Sequence, residues 1–442
     1  NSGNAAVFTS SANRSLAGWG LFDYGAGFSS GSPLRWLVAA VGTGIYASSN
    51  RGVTWVAIAT DRGANYQRFD RAGPFLVTAS ESMNRVLYWA GSAGTSMLGM
   101  PVGSAPPAKH VVGDFQGFTF LMNHSGGIRQ IAYADVNTVT TNAWNNTFSL
   151  PSSFDDEITG GILLNKSLYA FTKYKVFRVS HGGGNPDFSY QVVKNWGAVS
   201  GTIRLATLPE IGEVIICLGW DRKVRIFDGA EDQVVSTPVE DDNGISPFAL
   251  SKIPLDHIQK CHAEVDTLKQ FYRLWVVQKG STETTYRLNL NLRTLAWFPD
   301  DNQPFNAAVM ADSGNSRILV AINRTAFVHW IDTTNRDQTT AVNEVYQLPF
   351  LFPKSPETVS KSQKLSLYFA ATSSGTLYYE DRSDWDRTFA LRDRFALSDT
   401  TNLLQIRRRI DVPLTQNVYQ GQLSDSASAA NPWKLNRVDF LG

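Results

Sequence analysis

Cysteine is nearly missing from the 442-residue chain, which carries only Cys217 and Cys261. Two cysteines cannot form the disulfide framework that holds small secreted domains together, so the fold rests on burial. Both sit among strand-like neighbours and read as buried thiols, with a single bridge as the other reading. Charge is scarce too: Asp, Glu, Lys and Arg make up 18% and nearly cancel, to +1. That balance gives no global reason to hold DNA, RNA or an anionic membrane. No apolar run approaches the roughly 18 to 20 residues of a membrane helix. The opening stretch, NSGNAAVFTSSANRS, has neither the charged head nor the apolar segment of a signal peptide. Helical periodicity never persists over the roughly 11 to 18 residues that a helix assignment needs. Aromatic residues, by contrast, reach 12%, and a well-buried all-β protein is the composition class that fits.

Signals for chemistry are correspondingly thin. His257 and His262 lie five apart around Cys261 in DHIQKCH, without further ligands at zinc-finger spacing. EDDNG (Glu240 to Gly244) and FDGAED (Phe227 to Asp232) offer oxygen ligands but do not match a twelve-residue calcium loop. They read as solvated turns. SHGGGNPDF, from Ser180, is glycine-rich but follows a strand and precedes no helix, so it lacks the helix N-terminus of a phosphate cradle. IRRRID, with Arg407, Arg408 and Arg409, is the densest basic run and lies in a strand, as a solvated face or a subunit contact. No catalytic residue, cofactor or metal ligand is assigned.

What the chain does have is a repeat. RWLVAAVGTGIYASSNRGVTWVAI, from Arg35, reads as an apolar strand, a tight turn, a second strand, a polar hairpin and a third strand. The rhythm returns at Pro74, Gly113, Thr159, Gly212, Lys269 and Asn315, with module starts about 40 to 57 residues apart. This spacing suits four-stranded propeller blades. A blade has two apolar faces and cannot bury both alone, so blades stack into a closed ring. The prediction is an all-β chain with a β-propeller of about seven blades, six or eight being tolerable, over 31–343 and an N-terminal segment over 1–30. After about Asn343 the Pro-rich YQLPFLFPKSPETVSKSQ reads as a connector. It leads to four strands in KLSLYFAAT, GTLYYED, LLQIRRRIDVPL and WKLNRVDFLG, a β-sandwich-like addition over 344–442.

Within the first module, SSNRGVTW presents Ser48, Asn50, Gly52, Thr54 and Trp55. It resembles the Asp box, the hairpin signature of sialidase-type propellers. The resemblance implies a folding device: short polar side chains bond backbone groups of the hairpin, glycine takes a positive φ, and the aromatic packs between sheets. A sialidase also requires an arginine cluster, a tyrosine activated by a glutamate and an acidic proton donor. That family's early Arg-Ile-Pro segment has no good counterpart here. VRIFDG and SKIPLDH come late and fit poorly, and one Asp box stands where several are usual.

Over about residues 30 to 442 the chain resembles the β-propeller tail proteins of short-tailed bacteriophages, the nozzle or hub below portal and adaptor. The resemblance runs through AKHVVGDFQGFTFLMN, IRQIAYADVNTVTTNAWNNTFSLP, DDEITGGILLNKSLYAFTKYKVFRVS, VVKNWGAVSGTIRLA, GEVIICLGWDRKVRIFDG and the closing strands. It implies a non-enzymatic virion protein, a homohexamer around a channel through which genomic DNA passes without specific binding. Its partners would be the tail adaptor, other tail proteins such as fibres or spikes, and a host surface at the distal end. The alternatives are a sialidase-like glycoside hydrolase and a propeller that binds a host glycan.

Overall fold

The structure is a computed structural model. It describes residues 5–6, 18–29 and 32–331, apart from short stretches at 51, 61, 64, 93–94, 101–104, 135–139, 141–143, 145, 152–155, 183–187, 241–248, 301–302, 313–316 and 324–326. Of 332–442 it describes the strands alone. The chain divides after Ile331, and Asp332–Gly442 forms a second unit.

The first unit is a seven-bladed β-propeller in which every blade is a four-stranded antiparallel sheet. The first strands are Gly18–Ser29, Gln67–Ala72, Ala108–Phe115, Ile158–Leu164, Arg204–Leu208, His262–Asp266 and Phe305–Asp312. Each touches the next, and the seventh touches the first, so these strands line the axis and close the ring. Six blades take all four strands from one continuous stretch of chain. The seventh takes its outermost strand from Ala5–Ala6, which pairs with Val328 and Phe327. The unbroken run of blades begins at Gly18, inside the stretch 1–30 that was set apart as an N-terminal segment.

The burial pattern explains why the modules read as apolar runs rather than alternating ones. Phe118–His124 and Ser167–Thr172, second strands of the third and fourth blades, are buried at every position. A middle strand has a neighbouring blade on each face, so both of its side-chain rows leave water. The core is accordingly not one body. Each of the seven interfaces between neighbouring blades has its own apolar cluster. Phe115, Phe120, Tyr133, Ile158 and Phe177 join blades three and four, and Leu37, Ala39, Val320, Ile322 and Val328 join blades one and seven. At the hub the first strands approach too closely for ordinary side chains. A Cβ on Gly20 would lie 2.9 Å from the Gln67 carbonyl, and one on Gly113 would collide with the Arg71 carbonyl. Glycine is required at both places by that approach. Helix is confined to Thr237–Glu240 and short 3₁₀ turns among the described residues.

The second unit contains two larger antiparallel sheets, a β-sandwich-like addition. One runs in the order Val345–Gln347, Tyr419–Asp425, Gly375–Ser383, Ala390–Leu397. The other runs Ile406–Val412, Gln363–Ala371, Trp433–Leu441. All four stretches read as strands there are strands.

Candidate functional site

The Asp-box-like hairpin joins the third strand of blade one, Gly44–Ser48, to its fourth, Val56–Ala59. Ser48 Oγ donates to Asn50 Oδ1 at 2.8 Å and accepts from the Gly52 N–H at 2.8 Å. Asn50 Oδ1 also accepts the Thr54 N–H at 2.9 Å, while Asn50 Nδ2 donates to Thr54 Oγ1 at 2.8 Å. Asparagine thus keeps the acceptor that an aspartate would offer and adds a donor that orients the threonine. Gly52 has φ +88°, and its carbonyl accepts the Trp55 indole N–H at 3.0 Å. A Cβ on Gly52 would stand 3.3 Å from the Trp55 ring, 3.6 Å from Leu37 and 3.8 Å from Val328. Val328 belongs to blade seven, so the hairpin packs on the seam where the ring closes.

The other end of the ring concentrates charge. In an antiparallel meander the start of the first strand and the turn between the second and third lie at the same end. Those segments of several blades converge on one axial rim. Arg68 pairs with Glu81 at 3.0 Å, and Lys260 with Glu283 at 2.8 Å. Glu157 receives Lys109 at 2.9 Å and Lys173 at 3.0 Å, and Arg204 pairs with Glu264 at 2.9 Å. His110 Nδ1 lies 3.4 Å from Ser200 Oγ, and His262 stacks on Trp275 with ring centroids 4.9 Å apart. Arg68, on blade two, acts electrostatically on both His110 of blade three and His262 of blade six. Side chains from different arcs of the ring therefore feel one another's charge.

The protonation states follow from this arrangement. Burial, reinforced by Arg68 and Lys109, pushes His110 down to about 3. Burial and then Arg204 do the same to His262, also to about 3. Both imidazoles are neutral near pH 7. Burial alone would raise Glu157, but its two lysines hold the carboxyl down, to about 2. Tyr66 is buried beside Arg68, and burial pushes its hydroxyl up, aided by Glu283 and Glu81. Further along the hub, burial raises Asp70 to about 6 against the opposing N–H donors of Gly113 and Arg71. The rim holds paired carboxylates, neutral imidazoles and a phenol that resists ionisation.

The remaining sequence candidates do not join this rim as a reactive set. Cys217 and Cys261 are free and fully buried, and burial pushes both thiols up to about 12. Asp228 of FDGAED accepts the N–H groups of Ala230 and Glu231, a self-satisfied turn. Glu240 accepts the Ser236 hydroxyl at 2.6 Å, whereas the rest of EDDNG and residues 183–187 of the glycine-rich loop lie outside the described residues. No group of three or more His, Cys, Asp or Glu could hold a metal ion among the described residues, and no helix among them is long and apolar enough to cross a membrane. Arg68 and His110 were not singled out from the sequence, and His262 was weighed there only as a zinc ligand in DHIQKCH. The available signal was a basic or imidazole residue near the start of a first strand, as in QRFDRA and AKHVVGDF.

No protein-family model matches the chain, and no curated protein matches it. Among solved structures, it is similar to the extracellular domain of a candidate one-component system of B. thetaiotaomicron, at 10% identity and a TM-score of 0.48. That match covers 100% of this chain, which spans 59% of the other. The WD40 domain of Neurospora crassa Pan2 matches at 12% identity over 76% of this chain and 91% of its own, with a TM-score of 0.43. An exo-β-1,3-galactanase of Phanerochaete chrysosporium matches at 11% identity over 100% of both chains, with a TM-score of 0.29. None of them carries a function over to this chain.

Proposed function

We propose that this chain is a non-enzymatic structural part of a short-tailed bacteriophage tail, a nozzle or hub subunit that assembles as a homohexamer around the path of ejected DNA. The sequence resemblance to that family supplies the identity of the assembly. The observation that carries the non-enzymatic half is the self-neutralised axial rim. The rim is where one ring of this architecture can gather side chains from several blades, and Arg68, Lys109, Lys173, Arg204 and Lys260 are each held there by a carboxylate. A sialidase-like centre needs arginines open to a substrate carboxylate and a tyrosine made easier to ionise. Tyr66, the rim phenol within the field of two glutamates, is buried and shifted the opposite way.

The near-neutral chain suits a conduit, because each added phosphate contact would raise affinity for DNA and slow its passage. In this reading the tail adaptor and the fibre or spike proteins bind its ends, and the protein resides in the virion. The test is the native mass of the purified chain by light scattering, with particle imaging of the same peak. A sixfold ring is expected. A stable monomer, or turnover of a fluorogenic sialoside, would overturn the proposal, and saturable glycan binding by a monomer would favour a host-recognition propeller instead.

A further inference from the structure

The outermost strands of six blades are short, at two to four residues. Short outer strands are one way a sheet avoids pairing with strangers. The fourth blade departs from this. Its outermost strand, Phe188–Lys194, has seven residues and pairs inward with Val176–His181 along most of its length. It is last in its sheet, so among the described residues its outer row of backbone groups has no strand partner. Ser189, Tyr190, Gln191 and Val192 are consecutively exposed, with Tyr190 at 42% and Val192 at 39%. The strand has no proline and one charge, Lys194, whose ammonium is turned aside to Asp232 at 2.8 Å. The edge therefore lacks the usual guards against strand addition.

Its surroundings specify a partner. At the Lys194 end stand Asp228, Glu231 and Asp232, and Glu231 is 90% exposed. The chain itself contains a strand of opposite charge and equal length: Ile406–Val412, an edge strand of its three-stranded sheet, with Arg407, Arg408 and Arg409 in sequence. We propose that the outer edge of Phe188–Lys194 is an assembly surface that accepts Ile406–Val412 of a second copy as an added antiparallel strand. Charge selects the direction. A full antiparallel overlap sets Arg407, Arg408 and Arg409 opposite Val193, Val192 and Gln191, toward the acidic trio. A parallel overlap would set Asp411 beside that trio, like charge against like.

Because donor and acceptor are different surfaces, the contact is head-to-tail, the class that closes into rings when the rotation allows. The proposal rests on the tail-ring reading and adds to it the strand that joins neighbouring subunits. The full-length chain carrying both Gln191→Cys and Arg409→Cys tests it, since the two positions face each other and a disulfide fits across paired strands. Oxidation is expected to give a ladder of linked subunits on a denaturing gel, with none from either single variant. Glu231→Arg and Arg408→Glu are each expected to weaken assembly at least about tenfold, and the two together to restore it. If the wild type forms a ring but the double-cysteine chain does not link and both charge variants still assemble, the strand contact is wrong and the ring stands. A wild type that stays monomeric overturns the ring reading, and the contact with it.

Discussion

Replacing Trp55 with alanine tests whether the Asp-box-like hairpin is a clasp on the ring. The indole is partly buried against the seam between blades one and seven, and it donates to the Gly52 carbonyl. A tryptophan buries on the order of 150–250 Å² when enclosed. With about two thirds of that withdrawn from water, at about 25 cal/mol per Å², the loss is roughly 3 kcal/mol, and the indole hydrogen bond adds about 1 kcal/mol. Extended-chain areas overstate burial, so about 3 kcal/mol is the expected destabilisation. Val53 sits two residues away and is 65% exposed. Val53→Ala should therefore change stability by no more than about 0.5 kcal/mol and serves as the control. Denaturant unfolding gives the total, and native-state hydrogen exchange gives its location. Protection should fall first in Ser32–Val41 and Phe327–Ile331, on the two sides of the seam, and last in Ser167–Thr172 of blade four. A Trp55→Ala protein within about 0.5 kcal/mol of wild type, or one that loses protection evenly around the ring, would refute the clasp.

Two further expectations concern titratable groups. His110 and His262 are depressed to about 3 in the folded chain, far below their unfolded value. The unfolded chain therefore takes up protons first, and the stability these residues contribute is complete above about pH 6.5 and lost as pH falls toward 3. Within that window each histidine adds a slope of about 1.4 kcal/mol per pH unit. His262→Phe, which keeps a ring against Trp275, should flatten the acid side of a stability-pH profile, and an unchanged slope would contradict the assignment. Cys217 and Cys261 should both resist a thiol reagent at pH 8 in the native protein and both react in denaturant. Fast native labelling of either would mean that its blade interface opens.

How much of this was legible beforehand depended on how local the cause was. Ser48, Asn50, Gly52 and Trp55 act on one another within eight residues, so the pattern SSNRGVTW carries its own geometry. The repeat was legible because each blade must place apolar strands between polar turns. Gly18–Ser29 was not, because GWGLFDYGAGFS is interrupted by glycines, Gly20 among them where the hub is crowded, and these erase the strand's signature. Ala5–Ala6 was equally silent: two alanines have no pattern, and their place in blade seven is set by the partner strand. The rim was beyond reach for a different reason. Arg68, His110 and His262 are far apart in sequence, and only the rotation from blade to blade brings them to one axis.

The division of the core into seven wedges has a mechanical meaning. Links joined end to end in a loop all carry the same hoop load, so the loop is as strong as its weakest link rather than its average one. Among the described residues the wedge between blades five and six is the most populated and that between six and seven the least. Blade seven also borrows its outermost strand from two alanines at the far end of the chain. By that logic the wedge between blades six and seven is where such a ring is expected to open first under outward load.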